Sequence, residues 1–144
     1  MPDLEKTVEF LARVPLFQSL KKPQLERLAK RFVTRKYTTG QDIVTQGKGG
    51  AGLFIIVSGK ADVIRVRTDG TKALVNAFGP ANFFGELALL DNEPRTASVV
   101  TTEGTECLVL SQWEFMGALR EDADMAVVIL QELARRFRRA LEVL

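Results

Sequence analysis

Between Phe32 and Leu110 the chain is cut into short pieces by Gly40, Gly47, Gly49-Gly50, Gly52, Gly59, Asp69-Gly70, Gly79-Pro80 and Gly104. A helix of ordinary length does not survive breaks that frequent, since each interior glycine costs it about 1 kcal/mol. The pieces are rich in Val, Ile, Thr and Phe, which favour a pleated surface, so they predict strands. "LFIIV" is a strand core ending at Ser58-Gly59. "DVIRVR" alternates after it, with Ile64 and Val66 on one face and Arg65 and Arg67 on the other. "TDGT" predicts a hairpin tip in which Asp69-Gly70 takes the positive φ angles of a primed turn. Strands at this spacing predict a closed or nearly closed antiparallel barrel or roll over 32–110.

Helical spacing brackets this region. In the lead-in, 1–31, Leu4, Val8, Leu11, Leu16, Leu20, Leu25 and Leu28 recur at mostly helical intervals. Asp3 is the expected first cap, Ser19 with Pro23 marks a break, and Leu16-Phe17 after Pro15 reads as an apolar plug. Over 111–144, "QWEFMGALRED" precedes a longer helix from about Ala123. There Ala123, Ala126, Leu130, Leu133, Phe137, Ala140 and Leu144 form a heptad-like seam. Two expectations compete for helix 123–144: a homodimer through the seam, or packing of the seam on the chain's own roll. Arg135, Arg136, Arg138 and Arg139 crowd its last turns, where positive charge complements the helix dipole. They read as a solvated face rather than a nucleic-acid site.

At 144 residues the chain reads as one domain, 1–144, with 46% hydrophobic and 26% charged residues. Its formal charge of only +2 demands no polyanionic partner. The single cysteine, Cys107, reads as a small apolar strand residue. No apolar run approaches the ~20 residues of a membrane helix, and "MPDLEKTVEF" lacks a secretory plan, so the expected location is cytoplasmic. Histidine is absent. That removes Ser-His-Asp and Cys-His catalysis and histidine-liganded metal, and the reading is of a chain that is not an enzyme and holds no metal.

The remaining feature is "FFGELALLDNEPRTASV". Gly85 allows a sharp turn, and Glu86 to Leu90 can form one helical turn with outward N–H groups that attract an anion. Arg95, following Pro94, can offer its guanidinium fork to the same phosphate. Glu86 beside a phosphate makes sense as an acceptor for a sugar hydroxyl, which points to a nucleotide. A simple Glu86–Arg95 pair across the turn is the alternative, and such pairs contribute little.

This stretch resembles the phosphate-binding cassette of the cyclic-nucleotide-binding domain family, Phe-Gly-Glu-Leu-Ala-Leu followed by Pro-Arg-Ala/Thr-Ala. "VPLF", "TQG" and "IIVSGKADV" upstream are similar to the family in the same order, so the resemblance covers essentially the whole chain. It implies a mainly β fold: an eight-stranded antiparallel β-roll with cassette 83–99, flanked by N-terminal and C-terminal helices. It implies ligand contacts from Phe84, Gly85, Glu86, Leu87, Ala88, Arg95 and Thr96. In it, Glu86 takes the ribose 2'-hydroxyl, Arg95 the exocyclic phosphate oxygens, and the amides of Gly85, Leu87 and Ala88 the rest of the phosphate. The implied ligand is cAMP or cGMP, with no further cofactor. Thr96 occupies a position where a hydroxyl can bond guanine, yet similar members with Thr respond to cAMP, which is the favoured ligand. Lys48 and Ala51 stand where the family often has acids, and Gln41 where Glu is common, which bears on loop shape.

The resemblance also implies that the C-terminal helices move when ligand binds. Regulators of this kind continue into a helix-turn-helix, whereas this chain stops at Leu144, so the expectation is a stand-alone sensor with an unknown effector. A partner-docking module without a physiological nucleotide is the competing class. A small β-barrel enzyme or phosphodiesterase is disfavoured by the missing histidine and the lack of a carboxylate cluster.

Overall fold

The computed structural model describes residues 2–49, 52–91 and 93–144. Gly50 and Ala51 of the expected glycine turn, and Asn92 of the cassette, lie outside them. The chain divides into two compact units, residues 32–112 and residues 3–31 with 113–144.

The first unit holds eight strands: β1 (Val33–Tyr37), β2 (Asp42–Val44), β3 (Gly52–Ser58), β4 (Ala61–Val66), β5 (Lys72–Phe78), β6 (Phe83–Phe84), β7 (Ser98–Thr101) and β8 (Thr105–Ser111). They form two four-stranded sheets in the orders β1-β8-β3-β6 and β2-β7-β4-β5, every pair antiparallel. This is the expected roll. Val44, Ile56, Ala61, Val99, Cys107 and Val109, drawn from both sheets, make one core between them. Burial, with the charge of Glu106 as a smaller cause, pushes the Cys107 thiol up to about 12, so it remains an inert apolar residue as expected.

One turn differs from expectation. In the β4–β5 hairpin Val66 pairs with Lys72, Arg67 N donates to Thr71 O at 2.8 Å, and Gly70 N donates to Arg67 O at 2.9 Å. Only Gly70, at φ +86°, is left-handed there, so the tip is an ordinary turn followed by a glycine bulge rather than a primed two-residue turn. The register makes the loop too long for the primed form. Val66, expected on one face with Ile64, is exposed at this end of the hairpin.

The second unit contains α1 (Leu4–Ala12), a 3-10 turn (Pro15–Phe17), α2 (Lys22–Ala29), α3 (Gln112–Glu121, from its second residue) and α4 (Ala123–Glu142). Asp3 caps α1 as expected, accepting from Lys6 N at 3.2 Å. Leu16 and Phe17 are buried, with Phe17 tilted against Phe115 at 5.9 Å between ring centroids. Arg31 bridges Glu114 and Glu121 at 3.0 and 2.7 Å.

Helix α4 corrects the expected seam. Its buried face carries Met125, Ile129 and Glu132. Ala126 and Leu133 are partly buried beside it. On the opposite side Ala123, Val127, Leu130, Ala134, Phe137, Leu141 and Leu144 are exposed, with Leu130 at 63% and Phe137 at 66%. The heptad stripe therefore runs one residue away from the predicted one at alternate positions, because the sequence is apolar on two faces.

Glu132, only 1% exposed, accepts from Gln18 Nε2 at 3.1 Å and Ser19 Oγ at 3.4 Å, and pairs with Arg135 and Arg139 at 3.3 and 3.5 Å. Burial pushes its carboxyl up, but the bond from Gln18 and the bond and charges of Arg135 and Arg139 outweigh this and hold it below the ordinary range. A depressed folded-state value contributes stability above the unfolded value near 4.5 that is lost as pH falls through the folded one. Urea denaturation should therefore show wild-type stability falling below about pH 5, with a flatter acid limb in Glu132→Gln. Glu132→Ala should lose about 1–3 kcal/mol near neutral pH, because the hydrogen bonds that Gln18, Ser19, Arg135 and Arg139 make to its charged carboxylate are lost.

Candidate functional site

The cassette opens where β6 ends. Phe84 pairs with Phe54 across β6 and β3, and Gly85 then turns left-handed at φ +88°. A β-carbon on Gly85 would lie 2.2 Å from the Gly52 carbonyl oxygen, and 2.8 and 3.1 Å from the two terminal nitrogens of Arg95. Only glycine fits there, on both conformational and steric grounds. The same distances put the Arg95 guanidinium against the first residues of the cassette.

Arg95 is held from several sides. Its Nη2 donates to Gly52 O at 3.0 Å, and its Cζ lies 6.0 Å from the centre of the Phe54 ring. Its backbone is clamped to the glycine loop by Arg95 N to Lys48 O at 3.1 Å and Gly47 N to Arg95 O at 2.8 Å. Partial burial pulls the guanidinium value down while Asp91 pulls it back, and the group stays a cation. A desolvated cation facing carbonyls and a ring is well prepared to meet an anion.

Residues Leu87–Leu89 form a 3-10 turn. Ala88 N donates to Gly85 O at 3.1 Å and Leu89 N to Glu86 O at 3.3 Å, so the Ala88 amide closes the turn. Leu87 is exposed while Ala88 and Leu89 are buried. Gln112 Nε2 donates to the carbonyls of Ala88 and Asp91, at 3.4 and 3.1 Å, and holds the far end. Thr96 is exposed, and its carbonyl accepts from Arg65 Nε at 3.3 Å.

The three rings Phe78, Phe84 and Phe54 stack almost parallel, at 5.4 Å and 1°, then 5.1 Å and 7°. They, with Tyr37, Ile43 and Val63, pack on the core yet stay partly exposed. The roll interior is thus apolar and incompletely filled beside a cation, an arrangement suited to a ligand with an anionic and a flat apolar part. Gly85 and Arg95, both predicted, are brought together. Gly52 was read only as a strand break, Phe54 only as strand core, and Phe78 was not singled out; being some forty residues from Arg95, Phe54 carries no local signal. Among the described residues no group of three or more Cys, Asp or Glu is placed to hold a metal ion. Nor is any of their helices long and apolar enough to cross a membrane.

The family model described as the cyclic nucleotide-binding domain matches residues 34–122. Over 126 residues the chain is 34% identical to the cyclic AMP receptor protein of Thermus thermophilus, covering 88% of this chain and 58% of that protein. The N-terminal domain of a transcriptional regulator from Streptomyces coelicolor is similar in structure, with TM-score 0.85 at 28% identity over 93% of this chain and 94% of that one. The regulatory subunit of a cAMP-independent protein kinase A from Trypanosoma brucei is also similar, with TM-score 0.71 at 26% identity over 94% of this chain and 47% of that one. The chain belongs to the cyclic nucleotide-binding domain family. It spans somewhat under two thirds of the length of the Thermus relative.

Gly85→Ala is expected to destabilise the first unit by about 2 kcal/mol or more, from the left-handed backbone and the collision with Gly52 O. Chemical denaturation read by backbone circular dichroism measures this, with Gly70→Ala, where a β-carbon meets open space, as the conformational control.

Proposed function

We propose that this chain binds a cyclic nucleotide, cAMP in the first instance, and acts as a non-catalytic sensor whose C-terminal helices rearrange when the ligand binds. The observation that carries the reading is the Arg95 guanidinium, half-buried against Gly85, Gly52 O and Phe54 in a chain of this family. In this reading the ring phosphate meets Arg95 and the amides of Gly85 and Leu87, and Ala88 joins by sharing or releasing its bond to Gly85 O. Glu86 takes the ribose 2'-hydroxyl, and the base lies on the partly exposed apolar interior that includes Phe84. Thr96 stands at the rim as the residue that would weigh cGMP against cAMP.

The name of the Thermus relative supports cAMP. That of the trypanosome kinase subunit, called cAMP-independent, keeps the ligand a matter for direct titration. Calorimetry should find cAMP bound more tightly than cGMP. Arg95→Ala should weaken binding by about 30-fold or more, the loss of a charge-assisted contact worth about 2 kcal/mol. Unchanged affinity in Arg95→Ala would remove that residue from the site, and absence of binding by wild type would leave the partner-docking reading.

The exposed stripe of α4 supports a homodimer through 123–144. The basic cluster gives little support to nucleic-acid binding, since Arg135 and Arg139 are engaged with Glu132. Light scattering should give a mass twice that of the 16.0 kDa chain, reduced to one chain by the double substitution Leu130→Asp and Phe137→Asp.

A further inference from the structure

We infer that Phe54 is a positioning residue, whose ring holds the Arg95 guanidinium in the orientation that receives the phosphate. The consequence for binding rests on the nucleotide reading above, whereas the geometry does not. Gly52 and Phe54 stand only two residues apart on β3, so a backbone carbonyl and a ring from one short stretch meet the same guanidinium. One supplies the carbonyl that accepts from Nη2 and the other the ring beneath Cζ. Gly85 lies against the same guanidinium, where a β-carbon would come within 2.8 Å of it.

The ring is itself braced. Phe84 stacks on it nearly parallel at 5.1 Å, and Phe78 stacks on Phe84 in turn at 5.4 Å. Core filling alone does not explain Phe54, which stays partly exposed while its strand neighbours Leu53, Ile55 and Ile56 are buried. An aromatic face attracts a cation through its quadrupole and an aliphatic side chain of similar volume does not. The aromatic character of Phe54 is therefore what the site uses.

The test compares Phe54→Leu and Phe54→Met, which keep bulk but lose the ring, with Phe54→Tyr, which keeps it. Calorimetry with cAMP is run on these, on Arg95→Ala and on the Phe54→Leu/Arg95→Ala double variant, each first checked for wild-type thermal unfolding. Phe54→Leu and Phe54→Met should weaken binding about 5-fold, with Phe54→Tyr within about 2-fold of wild type. Phe54→Leu should add nothing to Arg95→Ala. A ligand-free readout is the Arg95 side-chain NεH resonance, identified by its loss in Arg95→Ala. Ring current should displace it in wild type and Phe54→Tyr, and release it toward the free-arginine position in Phe54→Leu and Phe54→Met. An undisplaced resonance, or Phe54→Leu weakening binding equally with and without Arg95, would overturn the inference. Wild type that binds neither cAMP nor cGMP would defeat the nucleotide reading instead, and the resonance then decides the role of Phe54 alone.

Discussion

A guanidinium cannot give up its proton, so a fold that draws Arg95 partly out of water must surround it with dipoles that accept its charge. Much of the irregular geometry in the roll follows from that demand. The β6 strand stops after two residues, and the chain turns left-handed at Gly85 where a side chain would strike both the guanidinium and the Gly52 carbonyl. The glycine loop comes in from the other side to grip the Arg95 backbone through Gly47 and Lys48. The cassette is thus an arrangement of three chain segments around one cation, of which the 3-10 turn is only the part nearest in sequence.

The apolar interior answers a second constraint. A sealed core would be filled with interlocking aliphatics, as it is around Ile56, Val99 and Val109. Toward the cassette the filling changes to flat rings in a parallel column, packed against one another and still reached by water. Ring stacking supplies the rigidity that the missing volume would otherwise have supplied.

What could be read from the sequence was whatever is encoded locally. Glycine spacing and β-branched runs mark the strands because both act within a few residues, and the Phe-Gly-Glu and Pro-Arg segments mark the cassette for the same reason. The Asp69-Gly70 tip was misread because turn type depends on loop length, which the pairing of Val66 with Lys72 sets from outside the dipeptide. The stripe on α4 was displaced because "ADMAVVILQELARRF" offers apolar residues to two sides, and only the burial of Met125 and Ile129 tells which side remains exposed. Phe54 under Arg95 was invisible for a different reason. Its partner is some forty residues away, and nothing local separates a ring that braces a cation from one that fills a core.

Glu132 and Arg95 embody the same physical bargain at opposite signs. Each is a charge removed from water, and each is tolerated because neighbours oriented by the fold replace the lost solvation. Glu132 is closed: donors from Gln18, Ser19 and two arginines surround its carboxylate, so its effect is confined to stability. The Arg95 guanidinium is only partly withdrawn from water, set against a carbonyl and a ring with the charge of Asp91 acting on it. Under the proposed function that difference sets the energetics of binding. Desolvating the cation and fixing its orientation are already borne by folding, so an arriving phosphate gains from the contact with less reorganisation than a solvated arginine would require.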